Sequence, residues 1–213
     1  MENDMLTIIK RKTKIGPDDH GRKMSLKDFE FVETQEGYHY ELSRGYITVS
    51  QIAKLYHGLI VAALRNHLGA YQMANPGVIF AILSAAECKL LVRKWESERH
   101  PDLSVFLTKP KGRDDSKLWR RWIPELAIEV VSERSTDRDY IDKREEYWDL
   151  GIKEYWIVDA KREQAVILRR GRLKWIEKRV GPDGVITTKL LQGFALPFKA
   201  IMEAAAHAEM EDE

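Results

Sequence analysis

The longest regular spacing of apolar positions lies between residues 52 and 71. There Ile52, Leu55, Tyr56, Leu59, Ile60, Ala63 and Leu64 recur three and four apart. That period puts them on one stripe of a helix and leaves polar residues on the other side. Ahead of it, Ser25 with Asp28, Phe29 and Val32 predicts a short helix with a serine cap. Residues 38–50 carry strand formers on both sides of Arg44-Gly45, which predicts a hairpin. Further on the pattern turns to short apolar runs, and residues 77–83, 88–92 and 102–107 read as strands. Residues 165–170, 172–179 and 185–190 alternate as short strands, separated by Gly171 and the Gly181-Pro182-Asp183-Gly184 turn. Pro197 precedes a last helix.

The densest pattern is residues 124–159, a strand, a polar turn, an amphipathic helix and a second strand. Tyr140, Arg144, Tyr147 and Trp148 form the predicted inward stripe of the helix, with Lys143 on its flank. Within the first strand Leu126, Ile128 and Val130 share one face, while Glu129 joins Ala127 and Val131 on the other. A carboxylate in mid-strand is costly to bury without a partner. Ser132, Ser135 and Thr136 are expected to cap the helix, and Asp139 to pair with Lys143 four residues on. Asp159 at the end of the second strand reads as a turn or capping residue.

Composition narrows the choices. At 213 residues, 44% hydrophobic and 32% charged, the chain suits one soluble core. Residues 1–23 read as a basic, solvated arm, with phosphate contact as the alternative; residues 24–202 form the main domain and 203–213 an acidic tail. A net charge of +1 offers no global attraction to nucleic acid, so any such partner is held by a local patch. The best local patch is residues 108–122, with three Lys, three Arg and two Trp. Its cations, Lys109, Lys111, Arg113, Arg120 and Arg121, suit DNA phosphates, and its Trp residues suit stacked bases. A surface hairpin whose Trp residues cover the core edge is the equal alternative. The single cysteine, Cys88, excludes a disulfide framework or cysteine zinc site and reads as a buried thiol. No apolar run approaches the roughly 20 residues of a membrane span. With no secretory h-region either, a cytoplasmic location is expected.

Pro-Asp occurs three times, but only Pro101-Asp102 leads into a strand pattern. If that strand pairs with the one carrying Glu129, both carboxylates can reach one cleft. Two carboxylates, waters and phosphate oxygens are what Mg²⁺ takes up. Such an ion polarises a phosphate and helps generate hydroxide. Val131, two residues after Glu129, cannot supply the cation that would stabilise the transition state, so Lys143 is the candidate for that part. His57 reads as a boundary or core histidine before a catalytic base.

Taken together, several residues resemble the PD-(D/E)XK nuclease superfamily, and more closely its bacterial Uma-two branch of restriction-endonuclease-like proteins. They are Tyr40-Glu41-Leu42 with Gly45, Pro101-Asp102, Glu129-Val130-Val131-Ser132, Ser135-Thr136, Asp139, Lys143, Tyr147 and Gly151 through Asp159. The resemblance implies an α/β restriction-endonuclease-like core, a mixed central β-sheet flanked by α-helices, and often a homodimer. It also implies Asp102 and Glu129 as ligands of Mg²⁺ (or Mn²⁺), Lys143 as a relocated basic residue, and Glu41 as an accessory metal carboxylate. Glu133 and Lys153 stand where prolines are common in that branch. The function expected is a Mg²⁺-dependent endonuclease cutting DNA. A catalytically inactive nucleic-acid-binding or assembly module on the same fold is the alternative. A Ser-His-Asp hydrolase is disfavoured, since no G-x-S-x-G occurs.

Overall fold

The computed structural model describes residues 13–51, 54–109, 122–132 and 138–206. Its elements in chain order begin with β1 (Lys14–Ile15), α1 (Leu26–Phe29), β2 (Glu33–Thr34), β3 (Tyr38–Ser43) and β4 (Tyr46–Gln51). Then come α2 (Leu55–Ala74), β5 (Ala81–Ser84), β6 (Leu90–Val92), β7 (Ser97–Arg99), β8 (Leu103–Phe106) and β9 (Leu126–Val130). The chain continues through α3 (Lys143–Leu150), β10 (Glu154–Asp159), β11 (Gln164–Arg170), β12 (Trp175–Val180), β13 (Val185–Thr187), β14 (Ala195–Pro197) and α4 (Phe198–Ala206). They group into two compact units, Met1–Ile52 with Arg93–Ser97, and Ala53–Val92 with Glu98–Glu213.

In the first unit Ser25 caps α1 by accepting the Asp28 amide at 3.1 Å, the start that its spacing predicts. The predicted hairpin is present: β3 and β4 pair antiparallel, with Ser43 opposite Tyr46. Its turn uses Arg44 and Gly45, both at positive φ, as a two-residue hairpin turn requires.

The second unit is built on a six-stranded sheet in the order β12-β11-β10-β9-β8-β5. Only β9 and β10 run parallel, because α3 provides the crossover between them. The neighbouring pairs are antiparallel, so the sheet is mixed. Alternation along β9 and β10 divides the interior into two layers. Leu126, Ile128, Val130, Trp156 and Val158 pack with Ile60, Leu64 and Leu68 of α2 and Ile201 of α4. Ala127, Tyr155 and Ile157 pack on the opposite face with Tyr147 of α3, Phe106 and Trp175. Cys88 is the buried thiol its context predicts. Among the described residues no helix is long and apolar enough to cross a membrane.

Local structure sets where several of these elements begin and end. Helix α2 runs on to Ala74, where Asn75 returns its side-chain amide to the Tyr71 carbonyl at 2.9 Å. Gly77 at φ 82° then turns the chain, and β5 starts at Ala81 rather than at residue 77. Helix α3 ends on Gly151 at φ 88°, whose amide and that of Ile152 bond back to Trp148 and Tyr147 in a Schellman arrangement.

No atom lies within 4 Å of a Cβ added at Gly151, so Gly151→Ala costs only the left-handed backbone, about 1 kcal/mol of stability. Gly69, within α2 and equally open, is expected to gain about as much on Gly69→Ala, since alanine suits a helix interior. Urea unfolding of the two variants should therefore shift in opposite directions, and shifts of the same sign would contradict this assignment of the backbone.

Candidate active site

The site forms where β8 and β9 lie side by side. Their register pairs Leu103 with Ile128, so Asp102, one step further, lies across from Glu129. The pairing anticipated from the sequence is thus present, and the two carboxylates are neighbours. Asp102 Oδ2 accepts the Val130 amide at 2.7 Å, a bond from the strand that carries Glu129.

Glu129 is 3% exposed, and its burial is compensated from α3. The Lys143 ammonium stands 2.9 Å from Glu129 Oε2, and Tyr147 donates its hydroxyl to Oε1 at 2.6 Å. Lys143 also meets Asp139 Oδ1 at 2.9 Å, the i,i+4 pair expected from spacing. Tyr155 of β10 donates to the Asp139 carbonyl at 2.9 Å; burial, with Asp139 and Glu129 nearby, holds its phenol well above its ordinary range and protonated.

The inward face of the helix differs from the predicted stripe. Asp139, Lys143, Glu146 and Tyr147 are the buried residues, whereas Arg144 and Trp148 are half-buried. The buried face carries charged residues paired within the fold, which a count of apolar positions passes over. A π turn over Arg138–Asp142 precedes α3, and Asp139 lies within it. Lys143 moves from the flank to the centre of the buried face. Arg144 instead meets Glu177 at 3.0 Å, and its carbonyl accepts the Trp175 indole at 2.8 Å.

Two contacts on the Glu129 side carry no simple sequence signal. Arg99 and Glu146, each 0% exposed, form a two-pronged ion pair with bonds of 2.6 and 3.0 Å. At the far end of α3, Arg170 donates to the Ile152 carbonyl at 2.9 Å and to the Trp148 carbonyl, with its guanidinium 4.1 Å from the Trp148 ring centre. On the other side, His57 in the first turn of α2 brings Nε2 within 3.2 Å of Asp102 Oδ2. Burial alone lowers the basicity of His57, but the hydrogen bond and charge of Asp102, with the Val130 carbonyl, outweigh it and raise its pKa.

Glu41 is half-buried in β3 of the first unit, opposite Thr48. Lys109 is exposed beyond Phe106, the end of β8 opposite to Asp102. Lys111, Arg113, Arg120, Arg121, Ser135 and Thr136 lie outside the described residues, and Ser132 precedes the helical segment. Asp159 serves as a turn residue as expected, accepting the Arg162 amide at 3.1 Å.

Among the described residues no group of three or more His, Cys, Asp or Glu converges as a metal cage. What the site offers is hard oxygen from two adjacent carboxylates, and Asp102 Oδ1 makes no hydrogen bond within the described residues. That donor set suits a cation completed by water and substrate oxygens, as Mg²⁺ is. It does not suit a closed zinc site.

A family model named Uma2, with the description "Putative restriction endonuclease", matches residues 26–199. The chain belongs to the Uma2 family. The match spans α1 through the start of α4 and so includes Asp102, Glu129 and Lys143. Among solved structures, the Uma2 chain is similar to the crystal structure of a "putative nuclease belonging to DUF820" from Anabaena variabilis. The TM-score is 0.70 at 15% identity, over 85% of this chain and 99% of that one. At that identity the likeness establishes the restriction-endonuclease-like fold. No curated protein matches the chain.

The Arg99–Glu146 pair fastens the middle of α3, and Lys143 sits one turn away on the same face. Glu146→Ala leaves the Arg99 charge buried beside a lost carboxylate and is expected to destabilise the fold by about 3–5 kcal/mol. Replacing both members, Arg99→Met with Glu146→Leu, should recover most of that loss in the same chemical-denaturation measurement.

Proposed function

We propose that this Uma2 protein is a metal-dependent endonuclease that hydrolyses DNA phosphodiester bonds, using Mg²⁺ or Mn²⁺. The observation that carries the reading is the register that sets Asp102 across from Glu129, with the Lys143 ammonium 2.9 Å from Glu129. The family description supports hydrolysis of nucleic acid as the reaction class.

In this reading Asp102 and Glu129 would hold the metal through carboxylate oxygens. When bound, the ion polarises the scissile phosphate and lowers the pKa of a water. Lys143 presents positive charge beside Glu129, where it can meet a phosphate oxygen as negative charge builds in the transition state. Asp139 keeps the long lysine stem from sampling other rotamers. Lys109, Lys111, Arg113, Arg120 and Arg121 are proposed as sequence-independent contacts to DNA phosphates. Glu41 is proposed as an accessory carboxylate, and a homodimer as the working assembly.

A second reading, a catalytically inactive nucleic-acid-binding or assembly module, draws on Val131. It occupies the position two residues after Glu129 where the motif has its lysine. The two readings part on cleavage of supercoiled and linear DNA with Mg²⁺ or Mn²⁺. Nicking or linearisation is expected from the native protein, with no product from Asp102→Ala or Glu129→Ala. Lys143→Ala is expected to slow cutting about 10²–10³-fold, the usual loss for one transition-state donor. Cutting that persists in both carboxylate variants would sink the site assignment. DNA binding without any cutting by the native protein would favour the inactive module.

A further inference from the structure

His57 is a half-buried polar group at this end of the sheet that the cleavage chemistry leaves without a part. It is the third residue of α2, its side chain is 18% exposed, and Nε2 lies 3.2 Å from Asp102 Oδ2. A carboxylate oxygen accepts, so Nε2–H is the donor in this contact. The Val130 amide reaches the same oxygen at 2.7 Å. Both donors therefore fall on Oδ2, one from the α2 layer and one from β9, and Oδ1 makes no hydrogen bond among the described residues.

That asymmetry matters because the terminal torsion of an aspartate is soft and roughly two-fold, so its two oxygens ordinarily exchange places. Asp102 also precedes β8 rather than lying within it, and it lacks the strand ladder that restrains Glu129. A single backbone donor leaves the carboxylate plane free to rotate about that bond. A second donor from a different element fixes the plane.

We propose that His57 is a positioning residue for Asp102: with the Val130 amide it pins Oδ2, so that Oδ1 is the oxygen presented to a divalent cation. The inference rests on the metal-dependent reading of the site and assigns a residue that this reading does not use. Groups that orient a metal ligand in this way ordinarily contribute about 10–100-fold in metal affinity or activity.

The test is Mn²⁺ binding to the full chain, without DNA, read by calorimetry and by the electron paramagnetic resonance of free Mn²⁺. His57→Phe fills the space without a donor, and its Mn²⁺ affinity is expected to fall about 10–100-fold. His57→Gln places an amide N–H near the position of Nε2 and is expected to restore most of the affinity. Thermal unfolding of the two variants serves as the fold check, since a purely structural histidine would lower stability without separating Gln from Phe in Mn²⁺ affinity. Mn²⁺ bound by His57→Phe as tightly as by the native protein overturns the proposal. So does equal weakening in the Gln and Phe variants, or a native protein that binds no Mn²⁺. Native protein that binds Mn²⁺ with the expected order of variants, yet cuts no DNA, overturns the nuclease reading and leaves the role of His57 standing.

Discussion

The structure of the second unit turns on the burial of one charge. Every residue of β9 is buried, and Glu129 sits among them between β8 and β10. A carboxylate taken out of water costs several kcal/mol unless it is paired and hydrogen-bonded. Lys143 and Tyr147, four apart on one helical face, meet its two oxygens. The crossover helix between β9 and β10 is therefore more than a connection. It is the layer that makes a charged central strand tolerable, and its orientation is restricted to those that bring both groups onto Glu129.

Other contacts fasten that helix at separate points along its length. Asp139 holds Lys143 from the π turn, Arg99 holds Glu146 in the middle, and Arg170 with the Gly151 turn closes the end. Some are charge-assisted and buried, a class in which losing one partner costs far more than losing both. Such a helix has few alternative seatings. The carboxylate pair it overlies inherits the same precision: Glu129 is clamped from α3, while Asp102 is approached from α2 on the other layer.

How much of this was legible in the sequence depended on whether the signal was local. The hairpin of β3 and β4, the amphipathic α2 and the strand faces of β8 and β9 follow from periods of two and 3.6 and from Arg44-Gly45. Asp102 and Glu129 stood out because a charge within a strand pattern breaks the alternation, and the Asp139–Lys143 pair is a spacing rule. The buried face of α3 departs from the predicted stripe because Asp139, Lys143 and Glu146 are charges paired within the fold, which apolar spacing does not reveal. Tyr147 was read as plain core, since nothing adjacent in sequence tells that its hydroxyl ends on a carboxylate 18 residues earlier. Arg99 and Glu146, 47 residues apart, each look like surface charges until the fold joins them. His57 looked like a boundary or core histidine for the same reason: its partner, Asp102, is 45 residues away.

On the proposed reading the cation comes from the helix in place of the strand, and this changes what controls it. A lysine at position 131 would follow Glu129 on the same face of one strand, its reach set by the β9–β10 ladder, which the Val131 amide extends with a 2.8 Å bond to Val158. From α3 the ammonium comes instead from the layer above the sheet, on a flexible four-carbon stem that Asp139 must restrain. Its position then depends on the seating of the whole helix. The charge beside Glu129 is coupled through Glu146 to Arg99 and through the α3 carboxyl end to Arg170, groups that touch neither Asp102 nor Lys143 in any contact described above. Val131, apolar at the position where the motif has its cation, is the local mark of that exchange: precision of the strand given up for a cation whose placement the packed helix provides.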